Sequence, residues 1–293
     1  MRIDVIREIF KTIRPAQWIK NFFVFTPLLF SQNLFNAGLF ARSFSGFVIF
    51  CAASGAVYLV NDVLDRERDR CHPAKASRPI AAGRLSVRAA LITAVMDMGL
   101  CSAAAWVLSV RFFAFLTAYL MINILYSLFL KDVVILDVML IASGFVLRVL
   151  AGSAAISVPT SHWLVLCTGL IALFLGFSKR RHELVLQENQ AGNSRKVLWH
   201  YSPYFLDQMI AVVTASTVMS YALYTVSQET VEKFGTANLI YTIPFVLYGI
   251  FRYLYLVHRM EKGGNPTRIM FTDGPIIITV IFWCLAVIWV LYG

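Results

Sequence analysis

The sequence predicts an all-α polytopic membrane protein of about nine spans. Two observations carry this. The 293 residues are 59% hydrophobic and only 14% charged, where a soluble domain has about 25% charged residues. Long apolar runs recur along the whole chain, and only helices or closed barrels bring such runs across lipid. The basic residues add a direction. Of the 26 Lys and Arg, all but Arg42, Arg111, Arg148 and Lys233 fall on alternate loops, those that share a side with the N-terminus. Cytoplasmic loops concentrate Lys and Arg, so these are expected to be cytoplasmic, with the C-terminus outside. The formal charge of +10 is explained in this way and not by nucleic acid.

Residues 1–14 are amphipathic and basic and lack a small-residue cleavage site, so a signal peptide is not expected. The apolar runs predict spans at about 18–34, 43–64, 88–110, 112–130, 134–155, 162–179, 207–227, 236–258 and 274–292. Trp18 reads as an interfacial anchor, and Pro27 and Pro244 fall inside spans. Small residues at 51–56 and 102–105 predict close helix packing. Asp273 precedes the last span as a helix N-cap. No repeat or linker divides the chain, so residues 1–293 are expected to form one domain. The five Cys are odd in number, four of them within apolar runs, which argues against a disulfide framework.

The second span runs into NDVLDRERD at 61–69. Read as helix, it projects Asn61, Asp62, Asp65 and Asp69 towards one place, with Ser54 and Tyr58 on the same face. The spacing alone fits two readings. Either the carboxylates hold a divalent cation, with Mg²⁺ favoured by hard oxygen ligands, or they form a solvated helix end paired with Arg66, Arg68 and Arg70. The following CHPAKASRPIAAG favours the first. Its prolines and glycine fix a loop, and Lys75, Arg78 and Arg84 supply anion binders, as a metal-bound diphosphate needs. His72 reads as a loop hydrogen-bonding residue rather than a metal ligand.

The N-D-x-x-D-x-x-x-D pattern at 61–69 resembles the first motif of the UbiA superfamily of intramembrane prenyltransferases. RPAQWIKN at 14–21, DRCHPAKASRPIAAG at 69–83, SGFVLRVLAG at 143–152 and SKRRHEL at 178–184 are similar to its decaprenyl-phosphate phosphoribosyltransferase branch. The resemblance implies nine helices around a central cavity with a lateral opening to lipid. It implies Mg²⁺-dependent transfer of 5-phosphoribose from phosphoribosyl diphosphate to a polyprenyl phosphate. The prenyl-donor enzymes carry a second aspartate-rich motif where this chain has Lys179, Arg180, Arg181, His182 and Glu183. Without the resemblance this cluster reads as a topology signal or headgroup anchor; with it, Lys179 and Arg180 become phosphate ligands, Glu183 orients Lys179 or reaches a metal, and Arg181 anchors headgroups.

Other charges extend the candidate site. Asp137 and Arg148 are three turns apart on the fifth span, on a face with Ile141 and Gly144. A charge in hydrocarbon costs at least ~2.5 kcal/mol, so this face is expected to line the cavity; a structural pairing with other helices is the alternative. Lys20, Asn21, Tyr58, Tyr126 and Lys131 complete the substrate-binding set. Asp62, Asp65, Asp69 and Lys179 are the expected catalytic residues. Asp97 lies within a span and outside the expected site. Two rival functions remain: transfer of a prenyl group from prenyl diphosphate to an aromatic or other small acceptor, and transport.

Overall fold

A computed structural model describes residues 2–71, 75–188, 196–260 and 266–293. His72 lies outside them. The chain begins with α1 (Arg2–Thr12), a 3₁₀ segment (Pro15–Phe25) and α2 (Thr26–Phe30). Then follow α3 (Ala37–Leu64), α4 (Arg66–Arg70), α5 (Val87–Leu108), α6 (Val110–Leu128), α7 (Leu136–Ile156) and α8 (His162–Glu188). The last third holds α9 (Pro203–Val226), α10 (Gln228–Phe234), α11 (Ile243–His258), α12 (Pro266–Thr272) and α13 (Gly274–Tyr292). Among the described residues, 8 helices are long and apolar enough to cross a membrane: α3, α5, α6, α7, α8, α9, α11 with its leading 3₁₀ turn, and α13. The protein is a multi-pass membrane protein.

The first expected span is not one α-helix. It is the 3₁₀ segment followed by the five-residue α2. Pro27 sits in the first turn of α2 and Pro244 in the first turn of α11. Neither interrupts a helix, because proline lacks only an N–H that the first turn leaves unpaired anyway. The 3₁₀ segment packs against α3 and α7. Gly152 on α7 permits the approach: a Cβ there would lie 2.2 Å from the Val24 carbonyl oxygen.

Helix starts are capped by side chains that accept the otherwise unpaired N–H groups. Asn36, Ser86, Ser109, Ser202, Ser227 and Asp273 do this for α3, α5, α6, α9, α10 and α13. Ser109, with extended backbone, also ends α5, so α5 and α6 form a tight hairpin. Neighbours in sequence are mostly neighbours in space, from α5 against α6 through α8 against α9 to α11 against α13.

The charged ends of α3, α6 and α8 gather at one end of the bundle. There α1 is tied down by Glu8, which pairs with Lys11 and accepts a 2.9 Å bond from Arg84. The Arg84 guanidinium, then Lys11, hold the Glu8 carboxyl below the usual carboxylate range. At the other end Arg42 donates to the carbonyls of Ala155 (2.7 Å) and Leu108 (2.9 Å), capping α7 and α5. The last helix meets the first segment there too. Gln32 donates to the Leu291 carbonyl, Leu34 N–H to the Tyr292 hydroxyl, and that hydroxyl to the Leu29 carbonyl, at 2.9, 3.0 and 2.9 Å.

Candidate active site

α3 ends at Leu64, and Asp65 joins it to α4 with a slight break. The backbone bonds Asp65 N–H to Asn61 and Asp69 N–H to Asp65 keep the helical path nearly continuous. The acidic motif therefore holds close to its expected register. It lines a cavity of about 1390 Å³ together with the Lys75–Arg78 loop and the end of α8. Of the expected residues, Lys20, Tyr58, Asn61, Asp62, Asp65, Asp69, Lys75, Arg78, Tyr126, Arg148, Lys179, Arg180 and Glu183 all line it. Apolar residues Phe22, Met270 and Val280, all exposed, also line it.

Asn21, Lys131 and Asp137 stand behind the wall rather than on it. Asn21 is fully buried, donates to Ser54 Oγ and Cys51 Sγ at 3.3 Å, and accepts Arg148 Nε at 2.8 Å. Lys131 pairs with Asp65 at 2.6 Å. Asp137 and Arg148 share α7, as the periodicity predicts, but have separate partners. Asp137, wholly buried, accepts Arg180 Nε at 2.6 Å and the Tyr201 hydroxyl at 2.8 Å. That hydroxyl accepts in turn from Ile135 N–H at 2.6 Å, holding a β-branched residue at φ 68° just before α7. Burial, reinforced by the Asp137 carboxylate, pushes the Tyr201 phenol up.

The acids meet cations throughout. Asp62, 3% exposed in its side chain, takes Arg14 Nη2 and, at 3.2 Å, Arg78 Nη1. Arg78 also reaches Asp69 at 2.6 Å and so bridges two motif carboxylates. Asn61 Oδ1 accepts the Ser127 hydroxyl. Arg14 has φ 54° and lies 4.8 Å above the Tyr58 ring. Sequence reasoning omitted Arg14 from the site, although it heads the RPAQWIKN stretch. It also omitted Tyr119, whose hydroxyl accepts Arg148 Nη2 at 3.0 Å.

At the end of α8, Arg180 is 1% exposed and held by Asp137, by Glu183 at 2.6 Å and by the Tyr126 hydroxyl at 3.2 Å. Its charge is thus spent within the protein, which suits a positioning role better than a ligand role. Lys179 is 39% exposed in its side chain and 3.7 Å from Glu183. Arg181 is not a free headgroup anchor: it pairs with Asp207 at 2.5 Å, as His258 does at 3.2 Å. Asp97 accepts a long 3.8 Å contact from Cys101 Sγ and does not line the cavity.

Asn61, Asp62, Asp65 and Asp69 form an all-oxygen donor set, which suits a hard divalent ion shared with phosphate. Among the described residues no three His, Cys, Asp or Glu converge closely enough to hold a metal on their own. Arg14, Arg78 and Lys131 hold the carboxylates instead, and a bound cation would replace their charges with its own.

Residues 22–273 match the model of the UbiA prenyltransferase family. The chain belongs to the UbiA prenyltransferase family. It is a member of a family of transferases, as its relatives' names agree. It is 32% identical over 288 residues to the decaprenyl-phosphate phosphoribosyltransferase of Corynebacterium glutamicum, covering 96% of this chain and 86% of that one. The protein of the same name from Mycolicibacterium smegmatis is 29% identical, covering 96% and 91%. The solved UbiA homologue from Archaeoglobus fulgidus bound to DMAPP and Mg²⁺ has the same fold, with a TM-score of 0.72, 18% identity, and 97% and 99% of the two chains covered.

Proposed function

We propose that this UbiA protein transfers 5-phosphoribose from phosphoribosyl diphosphate to a polyprenyl phosphate at the cytoplasmic face of the cell membrane, releasing diphosphate. One observation carries the reading: the acidic motif of α3–α4 and the basic end of α8 line one cavity whose wall also carries the exposed apolar residues Phe22, Met270 and Val280. A cavity of this kind suits a donor rich in phosphate and an acceptor with a long apolar tail. The names of the phosphoribosyltransferase relatives support the same substrates.

In this reading Asn61, Asp62, Asp65 and Asp69 hold Mg²⁺. When bound, the ion neutralises diphosphate charge and stabilises it as a leaving group. Lys75, Arg78 and Lys179 take phosphate oxygens. Arg180, fixed by Asp137 and Glu183, keeps the end of α8 in place. The lipid phosphate oxygen bonds to ribose C1 as the bond from C1 to the diphosphate oxygen breaks, from the opposite face, so the anomeric centre inverts. A phosphate monoester is already anionic at neutral pH, so no strong general base is needed. The protein contributes positioning and electrostatic stabilisation.

The test is an assay of the purified protein in detergent with Mg²⁺, labelled phosphoribosyl diphosphate and polyprenyl phosphates of several lengths, beside prenyl diphosphate with 4-hydroxybenzoate. The expected result is labelled lipid from the first set and no product from the second. The reverse pattern would overturn the reading.

A further inference from the structure

Among the described residues, two cations on the inner wall of the cavity have no anionic partner. Arg148 on α7 is 6% exposed, and its hydrogen bonds all go to neutral acceptors: Asn21 Oδ1, the Gly144 carbonyl at 2.7 Å and the Tyr119 hydroxyl. The rings of Tyr119, Phe145 and Phe50 surround it with centroids at 4.7, 5.4 and 5.8 Å. A guanidinium has five N–H groups, so about two stay open, one on each terminal nitrogen. Lys20, from the 3₁₀ segment, lines the same cavity. Among the described residues it has no hydrogen-bond or ion-pair partner.

A positive charge withdrawn from water is costly unless an anion or strong acceptors meet it. Here two such charges face one space. The surrounding acids are engaged elsewhere: Asp62 by Arg14 and Arg78, Asp69 by Arg78, Asp65 by Lys131 and Asp137 by Arg180. The rigid frame of Asn21, Gly144 and Tyr119 fixes the guanidinium without neutralising it. Such an arrangement leaves the neutralising charge to a ligand.

We propose that Lys20 and Arg148 form an inner subsite for a phosphate monoester, separate from the diphosphate site at the acidic motif, with Asn21 and Tyr119 as positioning residues. The assignment rests on the phosphoribosyl-transfer reading. Two cations match the charge of a monoester, which is about −1.5 to −2 at neutral pH. The proposed reaction brings two monoesters into the cavity, the 5-phosphate of the donor and the phosphate of the lipid acceptor. Their chemistry is the same, and binding of simple probes tells them apart.

The experiment measures calorimetric binding to the full-length protein in detergent. The probes are ribose 5-phosphate, farnesyl phosphate and inorganic pyrophosphate with Mg²⁺; the variants are Lys20→Met, Arg148→Met and Tyr119→Phe. Lys20→Met is expected to weaken one monoester roughly 10-fold or more, as loss of a charge-assisted contact does, and to leave pyrophosphate unchanged. Loss confined to ribose 5-phosphate assigns the subsite to the donor; loss confined to farnesyl phosphate assigns it to the acceptor. Tyr119→Phe should weaken the same probe less. If Arg148→Met does not fold, Lys20→Met still decides, because among the described residues Lys20 makes no hydrogen bond or ion pair that its loss would break. The proposal is overturned if wild-type protein binds neither monoester, if Lys20→Met binds both normally, or if it loses pyrophosphate in equal measure. A protein that binds a monoester through Lys20 yet makes no phosphoribosyl lipid would retain the subsite and lose the functional reading.

Discussion

Replacing Asp137 by leucine removes the wholly buried carboxylate that faces the Arg180 guanidinium at 2.6 Å. Breaking a buried pair from one side costs ~3–5 kcal/mol, because the other charge is stranded. Glu183 and Tyr126 stay in contact with Arg180, which places this loss near the lower end, ~3 kcal/mol. The Tyr201 hydroxyl also loses its acceptor, adding ~1 kcal/mol. Asp137→Leu should therefore destabilise the protein by ~4 kcal/mol. In Asp137→Leu/Arg180→Met both charges go, and stability should return to within ~1–2 kcal/mol of wild type. Tryptophan fluorescence during graded SDS unfolding in mixed micelles measures both. The reasoning fails if Asp137→Leu costs under ~1 kcal/mol, or if the double variant is no more stable than the two single losses added together.

Lys179→Ala should raise the phosphoribosyl diphosphate concentration needed by roughly 10- to 150-fold, from ~1.5–3 kcal/mol of charge-assisted contact, with a smaller change for the lipid; steady-state kinetics with each substrate varied in turn would check this. Asp62→Asn should abolish turnover and lower the melting temperature without Mg²⁺, since it weakens the contacts to Arg14 and Arg78; an unchanged melting temperature counts against those ion pairs. Gly152→Ala should cut the yield of folded protein on size-exclusion chromatography, because the new Cβ meets the Val24 backbone, while Gly99→Ala, which meets nothing, should not. The depressed Glu8 carboxyl contributes stability above its unfolded pKa, near 4.5, and loses it as pH falls through the lower folded value; Glu8→Gln should flatten that acid limb in melts taken across pH.

Much of the bundle was legible because lipid imposes simple rules. Long apolar runs mark the spans, and Asp273 caps α13 as its position predicts. The first segment was less legible. Its hydropathy permits an α-helix, while its 3₁₀ path accompanies a close contact with Gly152, well over a hundred residues away in the chain. The same limit governs the site. Helical periodicity brought Asn61, Asp62, Asp65 and Asp69 towards one place, but it says nothing of what faces them. Arg14 meets Asp62 across 48 residues and Arg180 meets Asp137 across 43. Those partners set two inferences against each other. Carboxylates crowded along a motif should gain stability when one is neutralised, but carboxylates already clamped by arginine should lose it. Arg181 was read as a headgroup anchor because Asp207, on α9, is not its neighbour in sequence.

The bonds that join Gln32, Leu34 and Leu29 to Leu291 and Tyr292 tie together points about 260 residues apart. A chain made from its N-terminus has both chemical halves of the cavity, the acids of α3 and the basic end of α8, before the wall formed by α13 exists. α13 gives Ile276, Thr279, Trp283 and Cys284 to that wall, so a chain inserted only as far as α11 holds the charged lining without this side of the chamber. The Leu291 carbonyl and the Tyr292 hydroxyl, met by Gln32, Leu34 and Leu29, are thus the latch that holds this wall against the first segment of the chain.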